Sequence, residues 1–176
     1  LAMLYYYMRR YGEMVDIYLE LLARSDGFLQ MVQNRLNSAI YTDTDKSLTD
    51  IVEQKLLLKI QQYPNHDVFN EMLIWIYIQQ NNYSGAYIQA RALDLRNREN
   101  GSRLITLAKQ ATEAKDYETA VKAYNDVLAY GEFSPFYEDA YREKLYVLYA
   151  RIKTGLDTDI ETINNTIELY RNAIAK

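Results

Sequence analysis

The chain has 176 residues, room for one ordinary domain or a short array of repeats, and its 49% hydrophobic content with only six glycines and two prolines excludes disorder. With 20 Lys and Arg against 24 Asp and Glu, the net charge of −4 removes any electrostatic case for nucleic-acid phosphates or an anionic membrane surface. No cysteine is present, which excludes disulfides, thiolate zinc sites and cysteine nucleophiles.

In chain order, the spacing first predicts a helix over Gly12–Leu22, with Met14 and Tyr18 inward. The segment before it places Leu1, Ala2 and Tyr5 on the core side of another helix, which the chain enters part-way along. Tyr5, Tyr6 and Tyr7 stand about 100° apart in succession on a helix, so at least one of them is exposed or meets a neighbouring element. Next come Leu36, Ala39 and Ile40 on one helix and Val52, Leu56 and Ile60 on another, joined by a long loop, Tyr41–Ser47. Pro64 stops the second of these. The stretch from His66 to about Arg98 reads as helix, turn, helix, and Gly101 to about Tyr130 reads the same way. Tyr137, Tyr141, Leu145, Leu148 and Ile152 form one stripe along Phe136–Lys153. Gly155 closes that helix, and Thr158 or Asp159 caps a last one, Ile160–Ala175.

Two of these stretches repeat. Asn82-Tyr83-Ser84-Gly85-Ala86 and Asp116-Tyr117-Glu118-Thr119-Ala120 share polar-Tyr-X-X-Ala, with Ala86 and Ala120 34 residues apart. Leu73 and Leu107 keep the same spacing, as do Ile74 and Ala108. A 34-residue unit of two helices resembles the tetratricopeptide repeat. In the second unit Leu104, Leu107, Ala108 and Ala111 match its helix A, and Ala120, Tyr124, Val127 and Leu128 its helix B. The likeness is clearest over 67–134, looser over 1–28 and 135–176, and loosest over 29–66. The family's early helix A tryptophan is missing, with Asn70 and Leu104 in its place. Its helix A glycine is replaced by Ile74 and Ala108.

The resemblance implies an all-α, right-handed superhelix of antiparallel helix pairs, an α-solenoid of about five pairs forming one domain over 1–176, with repeats near 1–28, 29–66, 67–100, 101–134 and 135–176. It also implies a concave face lined by helix A. The exposed positions there would be Glu71, Trp75, Ile78 and Gln79, then Ile105, Lys109, Thr112 and Glu113, with Met3, Tyr6 and Tyr7 extending the row. Trp75 is the strongest anchor by residue type, with core packing as its competing role. Some members of the family hold a C-terminal carboxylate with Lys, Asn and Arg. Glu71, Trp75 and Ile105 occupy positions that set would need, so that ligand is not expected here.

Chemistry elsewhere is sparse. His66, the single histidine, sits beside Asp67 in a polar turn, where a base-and-carboxylate pair competes with simple capping of the next helix by Asn65 or Asp67. Asp43-X-Asp45 and Asp157-X-Asp159 lack the other ligands of a calcium loop and read as helix caps. No phosphate-cradling glycine loop or nucleophile elbow occurs. Tyrosine fills 18 positions, divided between packing of repeats and a recognition face.

The expectation is therefore a non-catalytic scaffold for protein–protein interaction, with no cofactor and no metal, binding a peptide or partner subunit. The alternative is a spacer or self-association module, through apolar patches near Met3 or Ile167. No apolar run reaches the roughly 20 residues that span a bilayer. Leu1–Tyr7 lacks the basic start and cleavage site of a signal peptide. The chain opens without methionine inside an amphipathic pattern, as a piece of a longer protein would. Residue usage leans toward a bacterial cell envelope, periplasmic side, with the cytoplasm as alternative.

Overall fold

A computed structural model describes residues 1–44 and 47–174. The protein is all-helical, 80% of it in helix, with no strand among the described residues. The helices are α1 (Ala2–Tyr7), α2 (Tyr11–Arg24), α3 (Leu29–Thr42), α4 (Ser47–Gln62), α5 (Asp67–Gln79), α6 (Tyr83–Asn97), α7 (Ser102–Glu113), α8 (Tyr117–Leu128), α9 (Tyr137–Lys153) and α10 (Ile160–Ile174). A 3-10 turn, Asp26–Phe28, joins α2 to α3. Ala175 lies outside the described residues. Neighbouring helices pack in pairs, and the chain divides into two compact units, Leu1–Gln89 and Ala90–Lys176.

In the first unit α2 packs on α1 and on α4, and α5 packs on α4 and α3. Met14, Val15, Tyr18, Leu19 and Leu22 make a three- and four-residue stripe on α2. It is buried with Val32 and Leu36 of α3, Val52 and Leu56 of α4, and Phe69, Met72, Leu73 and Ile76 of α5. Removal of these apolar side chains from water is the main force holding the unit together. Lys55 to Asp16 and Lys59 to Glu20, each 2.7 Å, tie the rim of α4 to α2. Both carboxylates are more than half exposed, so these pairs add little.

In the second unit α8 packs on both α7 and α9, and α10 on α9. Leu104, Leu107, Ala108, Ala111, Ala120, Ala123, Tyr124 and Val127 are all buried. Two tyrosines hold α10 reciprocally: Tyr141 donates to the Leu169 carbonyl at 3.2 Å, and Tyr170 to the Leu145 carbonyl at 2.9 Å. Of the predicted stripe on α9 only Leu145 is fully buried; Tyr137, Tyr141, Leu148 and Ile152 are half-covered, while Ala140, Val147 and Ala150 supply the rest of the buried face.

One turn recurs between helices. Arg9, Asn81 and Lys115 have φ of 55°, 56° and 65°. The next residue's amide reaches back five positions: Arg10 to Tyr5, Asn82 to Tyr77 and Asp116 to Ala111, at 2.8–2.9 Å. This left-handed closure satisfies carbonyls that the helix end would otherwise orphan. A tyrosine then opens the next helix each time, Tyr11, Tyr83 or Tyr117. Asn82 and Asp116 also cap it, their side-chain oxygens accepting from Gly85 N at 3.0 Å and Thr119 N at 3.1 Å. The polar-Tyr-X-X-Ala motif is thus a cap, a first helical residue and a buried small residue; Met14 takes the alanine's place in the first copy and is buried like Ala86 and Ala120.

Two expectations are corrected. Leu1 is 74% exposed rather than in the core, because α1 starts at Ala2 and does not hold it against α2. His66, not Asn65 or Asp67, is the N-cap residue of α5, and its ring turns away to Asp26.

Candidate functional site

In the first unit the expected row falls on α1 and α5. Trp75 is half-buried and packs against the core. Glu71 and Ile78 are half-buried and Gln79 is exposed. Tyr6 is half-buried, Tyr7 is 76% exposed and Met3 is 39% exposed. The Tyr6 hydroxyl lies 2.7 Å from Thr42 Oγ1, which links α1 to the end of α3. Beside it is a small cleft of about 80 Å³ lined by Met3, Tyr6, Met14, Tyr18, Arg35, Ser38 and Ala39.

In the second unit Lys109 and Glu113 are exposed, and Thr112 is half-buried with its hydroxyl donating to the Ala108 carbonyl at 2.8 Å. Lys109 Nζ is 3.7 Å from Asp139 on α9. Ile105 departs from expectation. It is 5% exposed and belongs to the core, because α7 is covered by both α8 and α9 and turns a broad apolar arc inward. Glu71 keeps its accessible position, and three further positions are incompletely buried in each copy: Met3, Trp75 and Lys109; Tyr6, Ile78 and Thr112; Tyr7, Gln79 and Glu113.

The described members of the acidic pairs, Asp43, Asp157 and Asp159, bond within the protein. Asp43 caps α4, accepting from Leu48 N at 2.8 Å, and Asp159 caps α10, accepting from Thr162 N at 2.7 Å, which holds its carboxyl below the usual range. Asp157 makes two 2.8 Å bonds with Arg151. Asp45 lies outside the described residues. His66 Nε2 is 2.6 Å from Asp26 Oδ1 and its ring meets Phe69 edge-on, joining the 3-10 turn to α5. Among the described residues no three His, Asp or Glu side chains are grouped to hold a metal, and no helix is long and apolar enough to cross a membrane.

Several buried polar residues escaped the sequence reading. Asp94 is fully buried and accepts from Gly101 N at 3.1 Å and from the Tyr130 hydroxyl at 2.7 Å. Asn70 donates to Gln89 Oε1 at 3.1 Å where the resembled family has tryptophan, and its own oxygen is unpartnered. The Tyr124 hydroxyl is buried without a hydrogen bond of good geometry, and burial pushes its pKa up. No periodic pattern marks such groups, since a polar residue on an apolar arc becomes legible only once its partner, distant in sequence, is known. No known protein family matches the sequence, and no curated protein is significantly similar to it.

Proposed function

We propose that the chain is a tetratricopeptide-like solenoid of about five helix pairs, acting without catalysis as a scaffold that binds a peptide or partner subunit along its helix A row. The observation that carries this reading is the recurrent turn. Counted from it, Met3, Trp75 and Lys109 hold equivalent points of α1, α5 and α7, and each is incompletely buried. A repeated frame with chemically different side chains at one solvent-facing position is what a recognition surface requires. The test is alanine at Trp75 and Lys109, with partner capture and helicity both measured. Capture that is unchanged while helicity stays intact would remove this row from the binding surface.

A second reading, self-association, rests on the apolar side chains that α10 leaves in solvent: Ile160 at 76%, Ile167 at 43% and Ile174 at 84% exposed. Sedimentation over a range of concentrations tests it, and a monomer throughout excludes it.

A further inference from the structure

The cleft beside Tyr6 has a specific chemistry. Its floor is made by Met14, Tyr18 and Ala39, which are 1%, 4% and 4% exposed, and Met3 forms an open wall. Four side chains lining it carry polar groups, and two of those groups are already engaged. The Tyr6 hydroxyl meets Thr42, and Ser38 Oγ donates to the Asn34 carbonyl at 3.0 Å. The other two are Arg35 and Tyr18, and neither makes a hydrogen bond or ion pair with any described residue.

Tyr18 is almost wholly buried as a residue, but its hydroxyl, unlike that of Tyr124, is not sealed from solvent and is open to a ligand in the cleft. Tyr18 and Arg35 line the same cleft; burial raises the Tyr18 pKa, and the Arg35 charge opposes that shift. Arginine offers only donors, in a planar fork. A negatively charged acceptor matches both, and in an unmodified peptide that group is a carboxylate. The methionine walls are apolar and adaptable, which suits an aliphatic side chain.

We propose that this cleft is a recognition pocket for an acidic residue beside an aliphatic one in a peptide partner, with Arg35 and Tyr18 taking the carboxylate and Met3, Met14 and Ala39 enclosing the aliphatic neighbour. The proposal rests on the reading that the helix A row binds protein, and it adds the chemistry of the partner.

The test selects displayed random 12-residue peptides on the whole chain, and in parallel on the Arg35→Glu variant. The expected result is enrichment of Asp or Glu within two residues of Leu, Ile, Val or Met, lost on the variant. In the best peptide, Glu to Gln should weaken binding about tenfold, and Arg35→Gln should abolish that ratio. Tyr18→Phe, which keeps the ring, should weaken the acidic peptide more than its glutamine counterpart. The methyl carbon signals of Met3 and Met14 should move on binding. A selection that yields no peptide, no acidic enrichment, or a Glu-to-Gln ratio that survives Arg35→Gln overturns the proposal. Peptides whose binding falls with Trp75→Ala but not with Arg35→Gln overturn the pocket alone and leave the wider reading standing. If no selected peptide responds to either substitution, both fail.

Discussion

Tyr130→Phe should destabilise the second unit by an amount that can be worked from two directions. Asp94 lies fully buried on α6, and its carboxylate accepts from Gly101 N at 3.1 Å to each oxygen and from Tyr130 at 2.7 Å. Loss of the phenol leaves a buried charge with one donor fewer, which costs about 1.5–3 kcal/mol for a hydrogen bond to a charged group. The titration of Tyr130 gives a second measure. Burial first, and then donation to Asp94, push its pKa up from 10.0 to about 12. A two-unit rise corresponds to at most about 2.7 kcal/mol between the protonated and ionised phenol, a ceiling that includes burial as well as the bond to Asp94. The folded state holds the phenolic proton more tightly than the unfolded chain. The contribution is therefore complete below pH 10 and is lost as pH rises from 10 through 12. Urea unfolding followed by far-ultraviolet circular dichroism should show the gap between wild type and Tyr130→Phe at neutral pH, shrinking across that window. A gap below about 0.5 kcal/mol at pH 7, or one that stays constant to pH 12, would refute the reasoning.

Two turn substitutions should act in opposite directions. Lys115→Gly removes a side chain from a left-handed position at φ 65° and should stabilise by up to about 1 kcal/mol, read as a higher urea midpoint. Gly101→Ala, at φ 93°, would put its Cβ 3.1 Å and 3.2 Å from the two Val127 methyls. Strain of about 1–2 kcal/mol adds to that crowding, and amide exchange in α7 and α8 should quicken.

The fold was largely legible because its signals are local. Helix stripes, the polar-Tyr-X-X-Ala turn and the 34-residue spacing each lie within a short window, and the described helices follow them closely. The pair α3–α4 was harder to place because the sequence before Val52 lacks the polar-Tyr-X-X-Ala motif, and Asp43 caps Leu48 instead. The site was less legible. A register position states which residues are equivalent, but exposure depends on how many neighbours cover a helix. Glu71 and Ile105 are equivalent, yet α7 packs against both α8 and α9 and draws Ile105 inward. Arg35 and Tyr18 went unnoticed as a pair because 17 residues and two different helices separate them.

The register also bears on how the helix pairs tolerate bulk. At the crossing expected from the resemblance, the three best copies pair Ala2 with Met14, Ile74 with Ala86, and Ala108 with Ala120. Each keeps at least one alanine, and the larger residue changes sides between the first and second of these. If these residues meet at the crossing, the alanine is not required on a fixed helix; the condition is that both sides not be large at once, because close packing leaves no room for a second chain. Ala120→Met, facing Ala108, would reproduce the first pair's combination and should cost about 1 kcal/mol. Ala86→Met, facing Ile74, would put two large side chains at one crossing and should cost about 3 kcal/mol or more. Both alanines are fully buried, so exposure does not distinguish them. Urea midpoints of the two variants decide the matter: an Ala120→Met protein destabilised as much as Ala86→Met would mean that the partner across the crossing does not set the tolerance.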